Sequence, residues 1–319
     1  MHFGGVAALQ GVTFTVARGA ITAIIGPNGA GKTTVFNCLT GFYAAAAGVV
    51  RLQREEGEID LMRAVHPTLQ PRDYLNPRAL ARQAYGWMTG GTHKVVRAGV
   101  ARTFQNVRLF RDMTVLENLL VAQHRLVERR LWAGILRTRE YLAAEAAALD
   151  RAVAWLELFG MFEDANRLAG ELPYGQQRRL EIIRALCTDP VLLCLDEPAA
   201  GLNPRETQAL SRMILRLRDH HDLTILLIEH DMNLVMNISD HVVVLDHGEV
   251  IASGTPAAMQ GHPAVLEAYL GVAEPVDGAS GGGLREEVVP VSSLPPVPPK
   301  PRPPLIIDPS VADIEACPP

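Results

Sequence analysis

The chain reads as an α/β domain built on a mostly parallel sheet. Short runs rich in β-branched residues alternate with longer helical patterns, and those runs lack in-out alternation. Ile21-Thr22-Ala23-Ile24-Ile25, Val191-Leu192-Leu193-Cys194-Leu195, Leu223-Thr224-Ile225-Leu226-Leu227-Ile228 and Val242-Val243-Val244-Leu245 are apolar on both faces. Strands covered from both sides read that way.

The elements follow in order. After the first run comes a glycine-rich stretch, then a helical Val35–Thr40 that stops at Gly41. Residues 53–94 mix Arg, Pro, Gly and Trp87 with little period and are expected to be an irregular insertion. From about 112 to 185 the pattern is helical, opened by the capping box Thr114-x-x-Glu117 and carried through Ala-rich turns around Ala143 to Ala152. That stretch is expected to be a helical subdomain inserted between strands. Asn203-Pro204-Arg205-Glu206 starts another helix, with Asn as cap, Pro at the first helical position and Glu reaching back. Thr255-Pro256 repeats the device. Composition shifts near residue 271, and residues 271–319 hold twelve of the 22 prolines. The expected organisation is a folded domain over 1–270 and a Pro-rich disordered or polyproline-II tail over 271–319.

Composition excludes several classes. With 319 residues, 48% apolar and 20% charged, the chain is globular rather than collagen-like, rod-like or wholly disordered. A net charge of -5 and pI of about 6.1 leave no chain-wide basic field, so no nucleic-acid partner is expected. The four cysteines Cys38, Cys187, Cys194 and Cys317 form no CxxC pair and no metal spacing. The opening Met1-His2-Phe3-Gly4 carries no leader pattern, and the apolar runs are far shorter than the roughly 18–20 residues that span a bilayer. The expected compartment is a reducing cytoplasm.

The first candidate site is Gly26-Pro27-Asn28-Gly29-Ala30-Gly31-Lys32-Thr33-Thr34, a complete GxxxxGK[ST] between strand and helix. Glycines let consecutive backbone N–H groups point into one concavity, the helix N-terminus adds positive potential, and Lys32 supplies a point charge for outer phosphates. Thr33 offers a hydroxyl to Mg²⁺. This predicts a nucleoside-triphosphate site but leaves kinase, GTPase, helicase and transporter open. The second strand ends in Leu195-Asp196-Glu197, where a parallel sheet places its ligand crevice. Adjacent acids there are expected to point to different sides, Asp196 to Mg²⁺ and Glu197 to an in-line water as general base. Ile228-Glu229-His230-Asp231 ends the third strand, placing His230 at the same edge, where an imidazole can donate to a γ-phosphate.

Taken together, these residues resemble the nucleotide-binding subunit of ABC transporters. Gly26 to Thr34 matches the family's Walker A, Val191 to Glu197 its Walker B with catalytic Glu, and His230 its H-loop. Gln105 in Ala101-Arg102-Thr103-Phe104-Gln105-Asn106 matches the Q-loop, which the family uses to sense the γ-phosphate or Mg²⁺. Leu172-Pro173-Tyr174-Gly175-Gln176-Gln177 sits where the LSGGQ signature lies. Ala199-Ala200-Gly201-Leu202-Asn203-Pro204 takes the D-loop position, and Phe3 that of the aromatic that stacks on adenine. The spellings ARTFQN, LPYGQQRRLEIIRAL, LCLDEPAAGLNP and LLIEHDMNLVM are similar to the ATP-binding subunit of branched-chain amino-acid importers. Members that serve urea or amide uptake or lipid export share part of them, and a soluble non-transport ABC ATPase is a further alternative.

The resemblance implies a P-loop NTPase core with an antiparallel β subdomain and the helical insertion. It also implies ATP and Mg²⁺ as cofactors and a second ATP-binding subunit, paralogue or self, whose signature binds the partner's ATP. Two transmembrane permease subunits, a periplasmic solute-binding protein acting indirectly, and a place on the cytoplasmic face of the inner membrane complete the implied assembly. Two spellings depart from the family. Pro173 replaces the signature Ser, removing a hydroxyl and leaving backbone amides of the following helix as donors. The family places a strand before the adenine aromatic, whereas only Met1-His2 precede Phe3, implying a missing edge strand or a misassigned start. Asn203 stands for the commoner D-loop Asp.

Overall fold

The four apolar runs become the centre of one sheet. The computed structural model describes residues 2–3, 6–43, 45, 47–54, 57–65, 92–124, 136, 138–221 and 223–270. Its strands are β1 (His2–Phe3), β2 (Val6–Ala7), β3 (Ile21–Ile25), β4 (Arg51–Arg54), β5 (Gly57–Asp60), β6 (Val100–Arg102), β7 (Leu192–Asp196), β8 (Thr224–Ile228), β9 (His241–Asp246) and β10 (Glu249–Gly254). The main sheet runs in the order β10-β9-β3-β8-β7-β6. Every pairing in it is parallel except β9 with β10. All residues of β3, β7 and β8 are buried, which is why no polar alternation marks them in the sequence.

Side-chain alternation still operates, but between two cores. Leu193, Leu195, Ile225, Leu227, Val242 and Val244 join the apolar cluster on one face of the sheet. Leu192, Cys194, Leu226, Ile228, Val243 and Leu245 join the cluster on the other, together with Phe36 and Leu39 of the helix Lys32–Leu39. The stretch expected to be helical contains Val115–Ala122, Arg139–Leu158 and Tyr174–Leu186, and their buried residues Leu119, Leu156 and Ile183 share the first cluster with the strands.

The expected caps form. Thr114 Oγ1 accepts from Glu117 N at 3.1 Å, and Glu117 Oε2 accepts from Thr114 N at 2.8 Å. Asn203 and Glu206 bond each other's backbone N–H, both at 3.0 Å. Thr255 caps Pro256–Gln260.

The region read as an irregular insertion departs from that reading at its start. Arg51–Arg54 and Gly57–Asp60 pair antiparallel with Leu52 opposite Ile59, and Asp60 then accepts from Met62 N to start the helix Leu61–Val65. One apolar residue per strand is too little to show a period of two. Residues 66–91, with Trp87, lie outside the described residues, as does the tail after residue 270.

Register fixes where the site lies. Ile24 of β3 pairs with Ile228 of β8, and Ile228 pairs with Asp196 of β7, so three strands end level. Gly26, Glu197 and Glu229 therefore leave the sheet at one edge. In β6, Arg102 pairs with Cys194, two residues before Asp196.

Candidate functional site

The loop Gly26–Thr34 leaves β3 under tight steric control. Gly26 has φ 150°, and a Cβ there would lie 2.0 Å from the Leu245 carbonyl oxygen of β9. Gly31, at φ 100°, would place a Cβ 2.8 Å from the Ala8 carbonyl oxygen. Side chains at either position would push the loop off its supports. Asn28, Gly29 and Thr33 are exposed along the loop, Pro27 and Thr34 half-buried, and Ala30 buried. The Lys32 ammonium is buried and donates to the Gly26 and Pro27 carbonyls at 2.7 and 2.9 Å. Burial pulls its pKa below the ordinary lysine value, against the opposing charges of Glu197 and Asp196. The lysine thus lies within electrostatic reach of both acids.

The acids diverge, though not by simple strand alternation. Asp196 ends β7, is buried, and its Oδ2 accepts from Arg102 Nη2 at 2.8 Å. Arg102 Nη1 donates to Asn37 Oδ1 at 2.7 Å and to Thr40 Oγ1 at 3.0 Å, tying the strand acid to the end of the helix that follows the loop. Glu197 instead takes a left-handed φ of 46°, with its N–H donating to the Ile228 carbonyl at 2.9 Å. That turn swings its carboxylate to Gln105, whose Nε2 donates to Oε2 at 2.9 Å. Gln105 therefore meets Glu197, not Asp196, in this state of the chain.

His230 lies two residues beyond β8 with a largely exposed ring, its Nδ1 3.8 Å from Glu229 Oε2. Glu229 is buried and accepts from Ala199 N at 2.8 Å and His230 N at 3.2 Å. Burial raises its pKa and these N–H donors oppose the rise. It anchors the start of the segment Ala199–Pro204 from the neighbouring strand.

A second grouping forms around the helix Tyr174–Leu186, which starts after Pro173 with no side-chain cap. Tyr174 is exposed, Leu172 is buried, and Gln177 Nε2 donates to the Leu172 carbonyl at 2.7 Å. Gly175 is buried, and a Cβ on it would meet Glu206 Oε1 at 2.4 Å. Glu206 is the residue that pairs with Asn203, and a Cβ on Gly201 would meet the Tyr174 ring at 3.1 Å. Leu172 to Gln176 and Gly201 to Asn203 therefore make one surface. Phe3 lies in β1, opposite Val6, in a two-stranded sheet of its own; its ring is outside the described residues.

Sequence reasoning missed Arg102, Glu229 and the pair Arg178–Glu181. Arg102 had a readable signal, a cation directly after the apolar pair Val100-Ala101, where a buried charge needs a counter-ion. Glu229, Arg178 and Glu181 each hold backbone far away in the chain, and the i,i+3 spacing of Arg178 and Glu181 does not by itself show that the pair is buried.

A glycine cradle at a strand end, a buried lysine within electrostatic reach of two acids, and a glutamine on the second acid define a P-loop nucleoside-triphosphatase. The model of the ABC transporter family matches residues 9–200, and that of the branched-chain amino acid ATP-binding cassette transporter matches residues 249–275. The chain belongs to the ABC transporter family, and its cassette is an ATPase. It is 49% identical over 273 residues to the high-affinity branched-chain amino acid transport ATP-binding protein BraF of Pseudomonas aeruginosa, covering 86% of this chain and 95% of that protein. Identity to LivG of Escherichia coli, which carries the same description, is 48% over the same shares. Among solved structures, the ADP conformation of an ATP-binding cassette of an ABC transporter matches with TM-score 0.64 and 31% identity, over 85% of this chain and 95% of that one.

Proposed function

We propose that the chain is the ATP-hydrolysing subunit of a branched-chain amino-acid importer, with Glu197 as the base that polarises the attacking water. The observation that supports it is the placement of Glu197. It follows the buried Asp196 directly, turns out of the sheet, and lies against Gln105 at the edge that also carries Lys32. An acid there reaches water in line with a terminal phosphate, as phosphoryl transfer needs.

In this reading, Phe3 stacks on adenine, backbone N–H groups of Gly26 to Thr34 cradle the phosphates, and His230 donates to the γ-phosphate. The hydroxyl of Thr33 and the carboxylate of Asp196 are sparse, hard oxygen donors, and among the described residues no group of three His, Cys, Asp or Glu forms an all-protein cage. That donor set fits Mg²⁺, which Thr33 and Asp196 would hold and which would supply charge neutralisation there. Lys32 together with Mg²⁺ would offset about three of the roughly four negative charges of ATP. The surface of Leu172 to Gln176 with Gly201 to Asn203 supplies N–H groups at a helix start to the ATP of a second subunit, paralogue or self. Two subunits then close only with ATP between them, and hydrolysis removes that preference.

Among the described residues no helix is long and apolar enough to cross a membrane. In this reading the transport step belongs to two permease subunits, supplied by a periplasmic binding protein, with this chain peripheral at the cytoplasmic face. Glu197→Gln is expected to retain ATP binding within threefold and to lower turnover at least a hundredfold, measured by nucleotide titration and phosphate release. An active Gln variant removes the base assignment. Co-purification with the permeases, followed by ATPase stimulation with leucine-loaded but not urea-loaded binding protein, tests the substrate.

A further inference from the structure

The side chain of Arg178 is 1% exposed, one turn into the helix that starts at Tyr174. A guanidinium has five N–H donors, and here each has an acceptor. Nε donates to the Pro198 carbonyl at 3.3 Å. Nη1 donates to the Phe104 carbonyl and to Glu181 Oε2, the latter at 2.7 Å. Nη2 donates to the Asp196 and Glu197 carbonyls at 2.8 and 2.6 Å. Glu181, 2% exposed, uses its other oxygen to accept from Phe104 N and Arg108 N, both at 3.3 Å.

One buried ion pair therefore holds the backbone on both sides of the Gln105–Glu197 contact. Phe104 is clamped at its N–H and its carbonyl, immediately before Gln105. Glu197 is clamped at its carbonyl by Arg178 and at its N–H by Ile228, which fixes the left-handed turn that aims its carboxylate.

We propose that Arg178 and Glu181 are positioning residues for ATP hydrolysis, setting Glu197 against Gln105 and tying both to the helix that begins at Tyr174 and Gly175. The proposal rests on the reading of Glu197 as the base. A displacement of that helix then moves the two site residues with it, because two buried side chains of the helix, bonded at every donor and at both carboxylate oxygens, hold the backbone beside each of them.

Two conservative variants test this. Arg178→Lys keeps the charge but offers only three donors, leaving at least two of five acceptors unpaired. Glu181→Gln keeps the shape but sets an N–H₂ against either Arg178 or the two backbone N–H groups. Each is measured for thermal midpoint, affinity for a fluorescent ATP analogue, kcat and KM, and hydrogen exchange over residues 103–108. The expected result is nucleotide affinity and KM within threefold of wild type, kcat lowered at least thirtyfold, and faster exchange at Phe104 and Arg108.

A control, Leu156→Ala, removes a fully buried side chain from the main core and is expected to lower the midpoint while keeping kcat within twofold. If Arg178→Lys does not fold, Glu181→Gln carries the comparison. The proposal is overturned if kcat stays within threefold in the folded variants, or if it falls in Leu156→Ala in the same proportion to the lost stability. Failure of the underlying reading shows elsewhere, as full turnover in Glu197→Gln while the exchange result at Phe104 and Arg108 still stands.

Discussion

Gly26 sits with its α-carbon against the Leu245 carbonyl, a backbone atom that has no room to yield. Gly26→Ala is therefore expected to shift the loop rather than its neighbour and to weaken ATP binding at least tenfold in a nucleotide titration, with the fold retained. Lys32→Ala, which removes the loop's buried cation, is expected to abolish binding outright in the same assay. Burial acts differently on the thiols. Cys187 and Cys194 are almost wholly enclosed, and both are pushed up to about 12 because a thiolate there would lie in apolar surroundings. At pH 8 both are therefore held as thiols rather than the reactive thiolates. Native protein treated with iodoacetamide at pH 8 is expected to stay unmodified at both, with labelling appearing only after denaturation; mass spectrometry of the two peptides reads this directly.

Among the elements, the helix Val115–Ala122 is the clearest case of a local signal that folds as written. Thr114 and Glu117 satisfy each other's N–H groups, and buried Asn118 bonds the Phe110 carbonyl at 3.0 Å. Thr114→Ala is expected to lower the thermal midpoint by about 2–4 °C at neutral pH. The Glu117 carboxyl is held below its ordinary pKa by the bonds it accepts from the Thr114 N–H and hydroxyl. A depressed acid stabilises the fold above its unfolded pKa and loses that contribution as pH falls through its folded value. The difference between wild type and Thr114→Ala should thus shrink below about pH 4, measured by thermal melts across pH. Reciprocal caps are legible because their spacing is local. The pair β4–β5 was not, since each strand carries one core residue, and β6 has only three residues to show a pattern.

The molecule as a whole divides by composition at residue 271, and the match to the family's C-terminal segment ends at residue 275. Deleting residues 276–319 is expected to leave kcat and the thermal midpoint unchanged, and a loss of turnover beyond twofold places the tail in the working machine. The sequence by itself determined the buried parallel strands, the phosphate loop, the two adjacent acids and the capped helix starts at Thr114, Asn203 and Thr255, whereas the helix read as Val35–Thr40 begins at Lys32 within the loop. Each of these is written in neighbouring residues, as an apolar run, a glycine spacing or a cap. Only the tertiary structure decided that Glu197 meets Gln105, that Arg102 is the counter-ion of Asp196, and that Arg178 with Glu181 holds three segments together. Apart from the local Arg178–Glu181 pair, whose backbone acceptors lie elsewhere in the chain, those partners are separated by tens of residues and come together through strand order and register. Periodicity reports which face a residue occupies, whereas topology alone sets whom it faces.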